Sequence, residues 1–129
     1  MKRKILLIED NEQNRYLTTF LLEKNGYEVF SASDGTQAIE LAGRILPLAI
    51  LLDIQLPSMD GYTLARELRN NPALANIPIV AVTSYAMSGD REKMLAAGCD
   101  GYIEKPINPD TFVAEIERYM TGARKDTRL

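Results

Sequence analysis

Apolar residues in this chain follow two rhythms that alternate along its length. Short unbroken runs, "KILLI" at 4–8, "YEVFSA" at 27–32, "LAILLD" at 48–53 and "IVAVTS" at 79–84, have the length and content of buried strands. A fifth, less apolar run, "GYIEK" at 101–105, completes the set. Between them lie stretches with helical spacing. Leu17, Phe20 and Leu21 fall on one face of a helix expected from about 12 to 25 and closed by Gly26. Ala38, Leu41, Ala42, Ile45 and Leu46 recur at i, i+3, i+4, i+7 and i+8 after the turn at Asp34-Gly35. Leu64, Ala65 and Leu68 mark a third helix from about 60 to 70, and "NNPALANIP" is turn chemistry before the fourth strand. A fourth helix is expected to begin near Ser88, a good N-cap, and to end at Gly98. The last takes Asn108 as N-cap and Pro109 at its first position, with Phe112, Val113, Ile116, Tyr119 and Met120 on its buried face. Five such strand and helix units predict an α/β domain, a doubly wound five-stranded parallel sheet with helices on both faces.

A length of 129 residues with 46% hydrophobic content suits one such domain and is too short for two. The stretch after the last helix reads as a frayed tail, so no output domain is expected within this sequence. A net charge of -3 argues against nucleic-acid or membrane-surface binding, which need a concentrated basic face. The start "MKRKILLIED" is too short in apolar residues for a secretory signal, and no run has membrane-spanning length. With a lone Cys99 that cannot form an internal disulfide, a cytoplasmic location is expected. Cys99 itself, after a helix-ending Gly, reads as a small core residue. The absence of histidine removes Ser-His and Cys-His nucleophile pairs and imidazole zinc ligands, leaving carboxylates, hydroxyls, Lys and backbone to build any site.

In an open parallel sheet, ligands bind outside the carboxyl ends of the strands. Those ends carry Glu9 and Asp10, Asp53, Thr83 and Ser84, and Lys105. Each alone also suits an ordinary role: Asp10 as a helix cap, Asp53 in an Asx turn, Thr83 in a hydroxyl turn, Lys105 as a solvated charge. Jointly the ordinary reading fares worse. Three carboxylates at one rim repel, each pair by about 4 kcal/mol at about 4 Å and an effective dielectric near 20. Lys105 could neutralise one charge and a hard cation the others, and an all-oxygen donor set favours Mg²⁺. A carboxylate beside Mg²⁺, an ammonium and a hydroxyl can accept a phosphoryl group.

The acidic pair "ED" at 9–10, "DIQLPSMDG" at 53–61, "VTS" at 82–84 and "KP" at 105–106, in this order, resemble the response-regulator receiver domain over roughly residues 3–121. Within that family the chain is similar to stand-alone receivers of the DivK type. The resemblance implies a flavodoxin-like sheet of order 2-1-3-4-5 and a receiver domain over 1–121, with 122–129 as the tail. It implies Asp53 as phosphoacceptor; Glu9, Asp10, Asp53 and the backbone carbonyl of Gln55 as the Mg²⁺ site; and Thr83 and Lys105 as phosphoryl contacts. Thr83 and Tyr102 would form a rotamer switch, although an aromatic in a strand is also ordinary core. Pro106 would follow a cis peptide bond. Gln55 and Tyr85 would flank the path of the attacking water and set the hydrolysis rate.

The implied partners are a sensor histidine kinase or histidine phosphotransfer protein and a downstream protein on the face of the fourth helix, fifth strand and fifth helix. Met87, Met94, Tyr102 and Ile107 are candidate contacts there, with Met94 better suited to core filling. Such a protein is a signalling switch rather than an enzyme. An FMN binder would share the architecture, but "EDNEQN" puts acids where a phosphate loop is needed. An Asp-nucleophile phosphatase would carry a second Asp where Gln55 stands. A degenerate receiver is disfavoured because every pocket position is filled.

Overall fold

The computed structural model describes residues 3–56, 59–84 and 90–120. Its elements are β1 (Arg3–Ile8), α1 (Glu12–Lys24), β2 (Tyr27–Ala32), α2 (Gly35–Ile45), β3 (Ala49–Asp53), α3 (Gly61–Asn70), β4 (Ile79–Thr83), α4 (Asp90–Ala96), β5 (Gly101–Glu104) and α5 (Phe112–Arg118). The five strands pair in parallel in the order β2-β1-β3-β4-β5. The reversal of strand order therefore falls between β1 and β3, where a doubly wound sheet opens its crevice.

Each central strand is buried on both faces, which is why it reads as an unbroken apolar run. Leu6, Ile8, Ile50 and Leu52 meet Ala38, Ala42, Leu64 and Leu68 of α2 and α3 in one core layer, to which Met94 and Cys99 also belong. Ile5, Leu7, Leu51 and Val80 meet Leu22, Phe112 and Ile116 of α1 and α5 in the other. Met94 and Cys99 are the core residues the pattern suggested, and burial pushes the Cys99 thiol up to about 12, so it is not a reactive thiolate.

Three details depart from the sequence pattern. In α1 the buried residues are Thr18, Leu21 and Leu22, while Phe20 is 53% exposed. At 3.6 residues per turn Phe20 lies nearly half a turn from the centre of the face that Thr18, Leu21 and Leu22 define. In α2 the stripe ends one residue early: Leu46 is the C-cap, with φ 48°, and is exposed rather than packed. Asn108 does begin the last helical segment, since its carbonyl accepts from Thr111 and Phe112 and its side chain from the Asp110 N–H, but the regular helix starts only at Phe112. Pro109 therefore stands in the preceding turn. The expected cap at Ser88, with Tyr85 and Met87, lies outside the described residues, as does the tail from 121.

Candidate functional site

Strand register assembles the acids. Ile8 pairs with Leu52 and Asp53 with Val82, while Thr83 pairs with Glu104, so the residues leaving β1, β3, β4 and β5 share one rim. One carboxylate oxygen each from Glu9, Asp10 and Asp53 lies within 4.8 Å of the others. Glu9, Asp53 and Thr83 are buried, and Asp10 is exposed at the mouth. The all-oxygen set, with one ligand open to water, fits a hard divalent cation that keeps part of its hydration shell.

Glu9 is held at every polar atom. Its N–H donates to Ala32 O at 3.0 Å, and its carbonyl accepts from Arg15 Nη1 at 3.1 Å. Oε1 accepts from Lys105 Nζ at 2.9 Å and Oε2 from the Asn11 N–H at 3.1 Å. Desolvation raises the Glu9 pKa above the ordinary 4.5, against the lowering effect of the Lys105 hydrogen bond, and the negative charge of Asp53 raises it further. Asn11, not Asp10, caps α1, accepting from the Asn14 N–H at 2.9 Å. Asp10 is thereby released from the capping role that its position also suited.

Asp53 makes the Asx turn its position suggested and also meets the lysine. Oδ1 accepts from the Gln55 N–H at 2.9 Å, an Asx turn that fixes the carboxylate, while Oδ2 faces Lys105 Nζ at 3.4 Å. The chain then reverses tightly: Gly61 N–H donates to Ile54 O at 3.0 Å, and a Cβ at Gly61 would lie 2.5 Å from Ile54 Cα. Only glycine fits that approach, and Asp60 caps α3 directly behind it. Gln55 is exposed beside this turn and bridges to Asp60.

Lys105 is not a solvated surface charge, since its side chain is 14% exposed between Glu9 and Asp53. Its N–H donates to Thr83 O at 2.8 Å, and the Lys105–Pro106 bond is cis. Tyr102 is half-buried on β5, packed against the core layer that holds α4. It also lines a groove of about 410 Å³ with Arg91, Glu104, Arg118 and Tyr119.

A network that the sequence pattern did not reveal lies at the other end of the sheet. Arg69 donates to Gly98 O, Leu74 O and Ile77 O at 3.0, 2.9 and 2.7 Å and pairs with Asp100 at 2.7 Å. Asp100 also accepts from the Ile79 N–H at 2.8 Å. No local spacing signals contacts across 29 and 31 residues.

A carboxylate triad, a buried lysine and a buried threonine at the switch point of a 2-1-3-4-5 sheet define a receiver of the two-component signalling class. The chain belongs to the response regulator receiver domain family, whose model matches residues 5–117. It is 39% identical over 123 residues to the polar-differentiation response regulator DivK of Brucella anthropi, covering 95% of this chain and 100% of that protein. The DivK of Brucella ovis matches to the same extent. Among solved structures, the receiver domain of a Pseudomonas aeruginosa sensor histidine kinase, with a magnesium ion coordinated in its active-site cleft, is 38% identical at a TM-score of 0.85, covering 93% of this chain and 98% of that one. A chemotaxis protein of Vibrio cholerae superposes with a TM-score of 0.88 at 27% identity, covering 92% and 99%. Receivers are signalling switches that bind Mg²⁺ in the acidic pocket and are phosphorylated by histidine kinases or phosphotransfer proteins. Among the described residues no helix is long and apolar enough to cross a membrane.

Proposed function

We propose that this chain is a cytoplasmic phosphoryl-accepting switch in which a carboxylate oxygen of Asp53 attacks the phosphorus of a partner's phosphohistidine. The N–P bond breaks, an acyl phosphate forms, and the departing imidazole takes up a proton. The observation that supports this most directly is the Glu9, Asp10 and Asp53 oxygen cluster facing a buried Lys105. Glu9, Asp10, Asp53 and the Gln55 carbonyl would hold Mg²⁺, Glu9 mainly through water because both of its carboxylate oxygens already accept hydrogen bonds. Bound there, the ion neutralises charge on the transferring phosphoryl oxygens.

Lys105 then exchanges its contact with Glu9 for the phosphoryl group, and Thr83 hydrogen-bonds a phosphoryl oxygen. Tyr102, half-buried beside the 410 Å³ groove, follows Thr83 inward and changes the face formed by α4, β5 and α5, where a downstream protein docks. Gln55 and Tyr85 modulate hydrolysis of the acyl phosphate. Intact mass after incubation with acetyl phosphate tests the reading. One labile phosphoryl group should appear with Mg²⁺ and none with a chelator; failure with both acetyl phosphate and a phosphohistidine donor would overturn it.

The raised Glu9 pKa adds a pH dependence. The folded state holds the Glu9 proton more tightly than the unfolded state, so without metal Glu9 lowers stability as pH rises from about 4.5 through its raised folded value. A cation in the pocket needs the ionised form. The rise in Tm on adding Mg²⁺ should therefore be smaller near about pH 5 than near about pH 8, as measured by calorimetry. An equal rise at both would show that Glu9 does not sense the ion.

A further inference from the structure

Directly beneath the acid pocket is a cavity of about 20 Å³ whose polar walls come from Glu9, Asn14, Thr18, Asp53 and Lys105, the rest being aliphatic side chains. One water needs about 10–15 Å³ on the same measure, together with two to four polar partners. Glu9 and Asp53 are already engaged, but among the described residues Thr18, Asn14 and Lys105 each keep a polar group without a hydrogen bond. Thr18 is 5% exposed, and among the described residues its hydroxyl makes no hydrogen bond. The Asn14 carboxamide is likewise unengaged among them, because only its backbone N–H is used, in capping α1. Lys105 has three N–H groups and two carboxylate partners, which leaves one donor. A buried hydroxyl without a partner is costly, and so is an unpaired proton on the largely buried Lys105 ammonium, whereas an aliphatic cavity would stay dry at no such cost.

We propose that one internal water occupies this cavity, bridging Lys105, Thr18 and Asn14, and that Thr18 thereby acts as a positioning residue for the phosphoryl chemistry at Asp53. The ammonium donates its third proton to the water, and the water donates in turn to the Asn14 carbonyl oxygen or the Thr18 hydroxyl oxygen. Lys105 is then anchored from below while its other two protons face the rim. When the contact with Glu9 is given up for a phosphoryl oxygen, the water keeps the ammonium from swinging out. This also explains a polar residue at Thr18, on the buried face of α1 where the pattern asks for an apolar one. The inference rests on the phosphoryl-accepting reading for its functional half; the water itself does not depend on it.

A high-resolution crystal structure and the rate of phosphorylation by acetyl phosphate, measured on wild type, Thr18→Val and Thr18→Ser, test it together. Wild type and Thr18→Ser should show one ordered water within hydrogen-bond reach of Lys105 Nζ and residue 18. Thr18→Val should lose the water and react about tenfold slower, with Mg²⁺ affinity within about twofold of wild type. Asn14→Leu supplies a second removal of a water partner should Thr18→Val not fold. A dry cavity in wild type, or a Thr18→Val protein that reacts at the wild-type rate, overturns the proposal. Were wild type itself unreactive, the phosphoryl-accepting reading would fail while the density still decided the water.

Discussion

An Asp53→Asn variant is expected to take up no phosphoryl group from acetyl phosphate and, in metal-free buffer, to unfold at a higher temperature than wild type. The first effect follows from the nucleophile: an amide oxygen in place of the carboxylate cannot form the acyl phosphate, so the mass gain should vanish rather than diminish. The second follows from the charge balance. Glu9, Asp10 and Asp53 share one rim with a single lysine, and that lysine sits at 2.9 Å from Glu9 but 3.4 Å from Asp53. Neutralising Asp53 removes repulsion with two acids and loses only the longer of the two lysine contacts. The amide also preserves the acceptor for the Gln55 N–H. A gain of about 1 kcal/mol, or about 4 °C in Tm, is the expected size. Adding Mg²⁺ should reverse the order, because the ion stabilises wild type more. A variant less stable than wild type without metal would mean that the Lys105–Asp53 pair outweighs the repulsion. Persistent phosphorylation would place the acceptor elsewhere.

Arg69→Met should have the opposite profile, a large loss of stability with the chemistry intact. The guanidinium satisfies three carbonyls and a carboxylate, tying α3 to the turn before β4 and to the turn between α4 and β5. Methionine keeps much of the stem's packing but leaves Asp100, whose side chain is only 10% exposed, with a charge and no guanidinium. Breaking a buried pair from one side costs about 3–5 kcal/mol, a large share of the total for a domain of this size. Urea unfolding should show the midpoint falling accordingly. Asp100→Asn should cost less, since its amide oxygen still accepts from the Ile79 N–H. Because the network lies where β4 and β5 begin and the acids where the strands end, the folded variant should accept phosphoryl from acetyl phosphate at close to the wild-type rate. A loss of unfolding free energy of under about 1 kcal/mol would show that the four contacts are replaced by water at little cost.

What depends on neighbouring residues and on periodicity is legible along the chain. Apolar runs such as those at 4–8, 48–53 and 79–84 suit strands covered on both faces, and their alternation with stretches of helical spacing points to a parallel sheet. Polar residues that end such runs must emerge at one edge of the sheet, which groups Glu9, Asp10, Asp53, Thr83 and Lys105. Local turn chemistry was equally legible at Asp34, Gly26 and Asn108, where the cap or turn bonds to residues within four positions. What depends on distant partners is set only when the chain folds. Folding made Asn11 the cap of α1 in place of Asp10, divided the two oxygens of Asp53 between a turn and a lysine, and put Arg69 against Asp100. It also turned Thr18 inward and Phe20 outward, against the hydrophobic order of the two side chains. Periodicity gives the angle between side chains on a helix. Only the sheet, and the polar cavity under its rim, says which angle faces the core.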